Sequence, residues 1–124
     1  MKLLLDTHIV LWWRLDSPRL KATVRRRIAT ADVVWVSAAS AWEVAIKQSL
    51  GKLQLADSFA EMVADSQFDE LPVTLDHAER FKTLPILHND PFDRMLIAQA
   101  LAERATIVTH DPQFERYDVP ILRV

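Results

Sequence analysis

Short apolar runs alternate along this chain with stretches where apolar residues recur every three or four positions, which predicts strands and helices in turn. Leu3 to Leu5 stops at Asp6 and predicts a short buried strand. Ile9 to Leu15 follows at helical spacing and ends before Ser17 and Pro18. Leu20, Val24 and Ile28, spaced four apart, predict a second amphipathic helix. Val33 to Val36 is apolar on both faces, as a central parallel strand should be. Ser37 is suited to cap a helix running to about Leu50, where Gly51 supplies the stop. Phe59, Met62 and Val63 predict a helix up to Phe68, followed by an extended piece over Leu71 to Val73 and a helix from Thr74 to about Leu84. Asp90 and Pro91 open the most apolar helix, whose Phe92, Met95, Leu96, Ile97, Ala98, Ala100 and Leu101 cover nearly every face, so it should run through the interior. Ile107 to Thr109 and Ile121 to Val124 complete the strands. The alternation implies an α/β fold with a parallel sheet between helical layers.

A chain of 124 residues with a single Gly fits one domain, residues 1 to 124, with no linker, repeat or low-complexity segment. Its 15 Lys and Arg against 17 Asp and Glu leave a net charge of −2, so a polyanionic partner has to be attracted by local cations. Without Cys there is no disulfide framework and no thiolate metal site. The short apolar run before Asp6 is no signal-peptide core or membrane span, and a cytoplasmic location is expected. One Gly also excludes a Gly-rich phosphate loop.

The chemistry is carried by acids. Asp6 and Asp111 follow two strands, Glu43 lies two helical turns beyond a third, and Asp93 is at the head of the most apolar helix. In an open parallel sheet these positions share the carboxyl edge, where ligands bind. Each acid also has a local reading: Asp6, Asp90 and Asp111 as helix or turn caps, Asp93 as an acid in a first helical turn, and Glu43 as the partner of Lys47 four residues on. Together they are costly, since two like charges about 4 Å apart repel by roughly 4 kcal/mol at an effective dielectric near 20. A divalent cation reverses that sign. Oxygen ligands without thiolates suit Mg²⁺ or Mn²⁺, and two such ions can drive phosphodiester hydrolysis with a water as nucleophile.

Other side chains qualify this picture. His8, His77, His88 and His110 form no zinc-binding pair. Trp12, Trp13, Trp35 and Trp42 sit inside apolar elements and are expected in core or subunit contacts, although aromatic rings also stack on bases. Arg25 to Arg27 spread over three faces of a helix, either as a solvated surface or as the cations that attract a polyanion. Arg94 is a candidate to touch a phosphate or steady a carboxylate, and an ion pair with Asp90 explains it equally well.

Four blocks carry a resemblance: Leu3 to His8, Ser37 to Lys47, Asp90 to Ala100, and Val108 to Asp111. In this order and spacing they resemble the PIN-domain ribonucleases, and among them the VapC-type toxins of bacterial toxin–antitoxin pairs. The resemblance covers the whole chain. It implies an α/β/α sandwich with a central parallel sheet of four to five strands and an acidic pocket for Mg²⁺ or Mn²⁺. Asp6, Glu43, Asp93 and Asp111 match the family's acidic quartet; Thr7 and Ser37 match small hydroxyl positions beside it, and Asp90 falls just outside. The resemblance further implies endoribonuclease action on RNA, a homodimer, and inhibition by a cognate antitoxin.

Other functions remain to be weighed. A PIN-like nuclease can serve RNA processing without a toxin role, and a catalytically silent module can dock a basic partner segment in the acidic pocket. An aspartate-nucleophile phosphatase needs a second Asp two residues after Asp6, where this chain has His8.

Overall fold

A computed structural model describes residues 1–124 and is organised around a central strand whose Leu3, Leu4 and Leu5 are fully buried. Strands β1 (Lys2–Leu5), β2 (Val33–Ser37), β3 (Asp69–Leu71), β4 (Thr106–Thr109) and β5 (Ile121–Arg123) form a five-stranded sheet in the order β3-β2-β1-β4-β5, every pair parallel. The helices are α1 (Thr7–Arg14), α2 (Ala22–Thr30), α3 (Ala38–Ser49), α4 (Phe59–Asp65), α5 (Leu75–Lys82) and α6 (Pro91–Glu103), and a 3₁₀ turn spans Pro112–Arg116. None is long and apolar enough to cross a membrane.

The pleat of β1 sorts its leucines between two cores. Leu3 and Leu5 pack with Ile9, Val10, Leu20, Ile28, Val44 and Met62 on one face. Leu4 packs with Leu96, Ile97, Ile107 and Phe114 on the other. The result is the α/β/α sandwich, each fully buried Leu contributing about 1.5 to 3 kcal/mol.

Local signals place the ends of these elements. Ser37 Oγ accepts from Ala39 N at 3.0 Å to start α3, and Gly51, at φ 71°, closes it with Lys52 N donating to Lys47 O at 2.8 Å. Asp90 Oδ1 accepts from Phe92 N and Asp93 N at 2.9 and 3.1 Å, with Pro91 in the first turn of α6.

Three expectations are corrected. The extended piece is Asp69–Leu71 and not Leu71 to Val73: Phe68 and Leu71 turn inward, the charges of Asp69 and Glu70 face water at the sheet edge, and Pro72 ends the pairing. The helix before it stops at Asp65, because Gln67 turns the chain at φ 60°. α6 is buried over Leu96–Ala100, yet its Phe92 and Met95 are only half-buried. They open onto an apolar groove of about 500 Å³ shared with Trp42, Val73 and Phe81.

Candidate active site at the carboxyl edge of the sheet

From β1 the chain passes to β2 on one side, and β4 and β5 lie on the other, so the order reverses between β1 and β4. Outside the carboxyl ends of two such strands an α/β sheet has its natural binding crevice. Asp6 follows β1 there, its backbone N donating to Val108 O at 2.9 Å. Thr109, the last residue of β4, donates its hydroxyl to Asp6 Oδ2 at 2.8 Å and accepts from Asp111 N at 3.0 Å. One buried threonine thus ties the acids of both strands together.

Asp6 also accepts from Thr7 N at 2.7 Å. Thr7 is buried, and its hydroxyl donates to Glu43 Oε1 at 3.0 Å, drawing α3 toward the end of β1. Glu43 receives Lys47 Nζ at 3.2 Å on its second oxygen, so the local ion pair forms as well. Asp111 accepts from Gln113 N at 2.9 Å and caps the 3₁₀ turn. The capping readings and the shared edge are therefore both true: caps are what aim these carboxylates beyond the sheet.

Asp93 enters from α6. Its carboxyl group is pushed up to about 8, chiefly by loss of solvent and further by the charges of Asp90, Asp6, Asp111 and Glu43. Asp93 thus shares one electrostatic neighbourhood with all of them. Burial likewise raises Asp6, against the opposing pull of its hydrogen bonds from Thr109 and Thr7 and of nearby His8. No three acidic or histidine side chains close on a common metal position as they stand. Each carboxylate instead holds its own local donor.

Two residues at this site lie outside the sequence expectations. His88 Nε2 is 3.3 Å from Asp93 Oδ2, and its Nδ1 is 2.8 Å from the Tyr117 hydroxyl. Arg94 Nη1 donates to that hydroxyl at 3.1 Å and to Pro85 O at 2.8 Å. Arg94 can only donate, so Tyr117 accepts from it and turns its own proton to His88. With Asp93 ionised, this assigns the Nε2–H tautomer to His88, donating to the carboxylate. No sequence signal links His88 and Tyr117, which stand 29 residues apart.

The remaining candidates have local partners of their own. Arg94 is buried over the Phe81 ring at 5.1 Å and makes no ion pair with Asp90 or any other carboxylate. Ser37 is occupied by its cap, and Asp90 serves as the cap of α6. Arg25 is half-buried and donates to Leu20 O, Ser17 O and Trp12 O at 3.0, 3.0 and 3.3 Å, binding the end of α1 to the start of α2. Trp13 packs on Phe68, whereas Trp42 is 65% exposed and meets Phe92 edge-on at 5.3 Å.

The chain is 29% identical over 121 residues to ribonuclease VapC22 of Mycobacterium tuberculosis, covering 94% of this chain and 92% of that protein. The fold superposes on VapBC2 of Rickettsia felis bound to a DNA fragment from its promoter, with a TM-score of 0.77 at 17% identity over 99% and 98% of the two chains. It also superposes on FitAcB of Neisseria gonorrhoeae, with a TM-score of 0.69 at 20% identity over 98% and 96%. The family model of the PIN domain matches residues 3–120. With that match spanning four of the five strands and all four acids, the chain belongs to the PIN-domain family, and the relatives it resembles are of VapC type.

Proposed function

We propose that this protein is a metal-dependent endoribonuclease, acting as the toxin of a toxin–antitoxin pair in the cytoplasm. The observation that carries the reading is the hydrogen-bonded linkage of Asp6 to Asp111 through Thr109 and to Glu43 through Thr7 at the reversal of strand order, with Asp93 within electrostatic reach of all three. The name ribonuclease VapC22, borne by a relative matched over nearly its whole length, supports it.

The donor set suits Mg²⁺ or Mn²⁺. Its free groups are carboxylate oxygens, and Asp93, raised chiefly by loss of solvent and further by four nearby acids, is a group whose ionised form a cation would favour. Asp6, Glu43, Asp93 and Asp111 would hold the ion. Magnesium keeps several waters, so carboxylates that do not yet converge suffice. When bound, the ion supplies a water of lowered pKa as nucleophile and positive charge against the leaving oxygen. The chain does the positioning: Thr109 fixes Asp6, Thr7 fixes Glu43, and His88 steadies Asp93. Cleavage in ¹⁸O-labelled water should place the label on the terminal phosphate. A 2′,3′-cyclic phosphate, formed by attack of the neighbouring ribose hydroxyl, would overturn the water mechanism.

We infer two protein partners. Several similar structures are toxin–antitoxin assemblies, including the complex from Klebsiella pneumoniae, which supports a cognate antitoxin here. A homodimer is supported by the exposed Trp42 ring and the apolar groove beside it.

A further inference from the structure

Asp6 and Asp111 form part of the wall of a cavity of about 370 Å³ whose other walls include Arg19, Arg123, Trp12, His8 and His110. Only one of its eight lining residues is hydrophobic, so it is not a gap left by core packing. In a chain of net charge −2, two arginines beside two carboxylates are a local arrangement that global charge does not explain.

The rings and cations are organised. Trp12 meets His110 edge-on at 5.4 Å and His8 at 6.3 Å, and the Arg19 guanidinium lies 5.5 Å from the Trp12 ring centre. His110 Nδ1 donates to Val124 O at 2.9 Å, which anchors the ring. Arg19 is exposed, and its guanidinium makes no ion pair and no hydrogen bond within the chain. Arg123 spends one nitrogen on Glu115 at 2.9 Å. An arginine held on an aromatic face with its donors unused is a ready phosphate contact beside a stacking surface.

Resting on the ribonuclease reading, we propose that this cavity is a nucleotide subsite next to the scissile bond: Trp12 stacks an unpaired base, and Arg19 with Arg123 holds a flanking phosphate. The cavity volume suits a small ligand of nucleotide size. A base can reach Trp12 only when it is out of a helix, so the subsite selects looped or single-stranded RNA over duplex. An acidic peptide fits less well, because it offers carboxylates to the arginines but no planar base to the Trp12 ring. A nucleic-acid strand held at the arginines delivers its next phosphate to those acids.

The test measures binding of a fluorescent single-stranded RNA oligonucleotide, and of the same sequence as a duplex, in Mg²⁺ buffer. The background is Asp93→Asn, which retains every cavity residue and should not turn over; Arg19→Gln, Trp12→Leu and the distant control Arg26→Gln are added to it. Arg19→Gln should weaken single-strand binding about five- to tenfold and lower the salt slope by about 0.7, the value of one single-strand phosphate contact. Trp12→Leu should weaken it roughly tenfold, as loss of a stacked base does. Duplex should bind more weakly than single strand, and Arg26→Gln should change little.

Because Trp12 also packs against the core, Arg19→Gln decides the matter if Trp12→Leu melts early. If wild type cleaves RNA with metal and Arg19→Gln leaves affinity and salt slope unchanged, the subsite is wrong and the ribonuclease stands. Competition by polyglutamate as effective as that by RNA, and relieved by Arg19→Gln, would assign the cavity to an acidic protein segment and overturn the proposal. If wild type neither binds nor cleaves RNA, both readings fall.

Discussion

His88 Nε2 lies 3.3 Å from Oδ2 of Asp93, the carboxyl group that burial and four neighbouring acids push up to about 8. A buried acid surrounded by like charge is stable in its ionised form only with donors or a cation near it. His88 supplies the donor, and Tyr117 and Arg94 behind it fix which nitrogen carries the proton.

Stability of the metal-free protein should fall as pH rises. Asp93 ionises near 3.8 when free of the fold and near 8 within it, so between these values the folded state binds more protons than the unfolded chain. The destabilisation is absent below about 4 and complete above about 8. Asp93→Asn should flatten this dependence and, at pH 8 in EDTA, raise stability by about 1 to 2 kcal/mol after solvent screening, roughly 4 to 8 °C in Tm. Thermal melts of both proteins at pH 5 and pH 8 measure it. Parallel curves would contradict the shared acidic neighbourhood.

Divalent metal should raise Tm through the same acids. Mn²⁺ at about 100 times its Kd should add about 2.7 kcal/mol to wild type. Asp6→Asn should lose most of that shift, which differential scanning calorimetry reads without RNA. Equal shifts in both would place the metal elsewhere.

His88→Ala should weaken Mn²⁺ binding about 10-fold or more, the usual effect of removing a partner that orients a ligand. Titration calorimetry gives the affinity, and partial recovery in His88→Gln, which restores a donor, separates positioning from simple packing loss.

Arg94 should matter for folding and not for RNA affinity. It is buried on Pro85 O, the Tyr117 hydroxyl and the Phe81 ring. Arg94→Met should cost about 2 to 4 kcal/mol in urea unfolding by stranding those partners. A large loss of RNA affinity with unchanged stability would restore it as a phosphate contact.

Trp42→Lys should turn a dimer into a monomer by light scattering with little change in Tm, since the ring is exposed in the single chain. A wild type that stays monomeric at high micromolar concentration would remove the dimer.

The sequence was most legible where one residue type has one physical reason. The β1 leucines, the Ser37 and Asp90 caps and the Gly51 stop are local features, and the structure has each of them. The common edge of Asp6 and Asp111 could be read too, because both follow strands of one parallel sheet, and Thr109 joins them there. Arg94 could not: next to Asp93 and four residues after Asp90, it turns inward because α6 presents that face to Tyr117 and Pro85. His88, Tyr117 and Thr109 act through contacts spanning 5 to 103 residues, for which no spacing rule exists. The β3 boundary moved because burial of Phe68 and Leu71 outweighed the propensity of Val73.

The central claim is that the gathered acids cleave RNA with a divalent metal. Its most direct test is incubation of a mixed RNA pool with purified protein in Mn²⁺ or in EDTA, beside Asp93→Asn. Discrete cleavage by wild type in Mn²⁺, absent in EDTA and absent from the folded variant, is the predicted result. Cleavage that survives EDTA, or an Asp93→Asn protein as active as wild type, would contradict it.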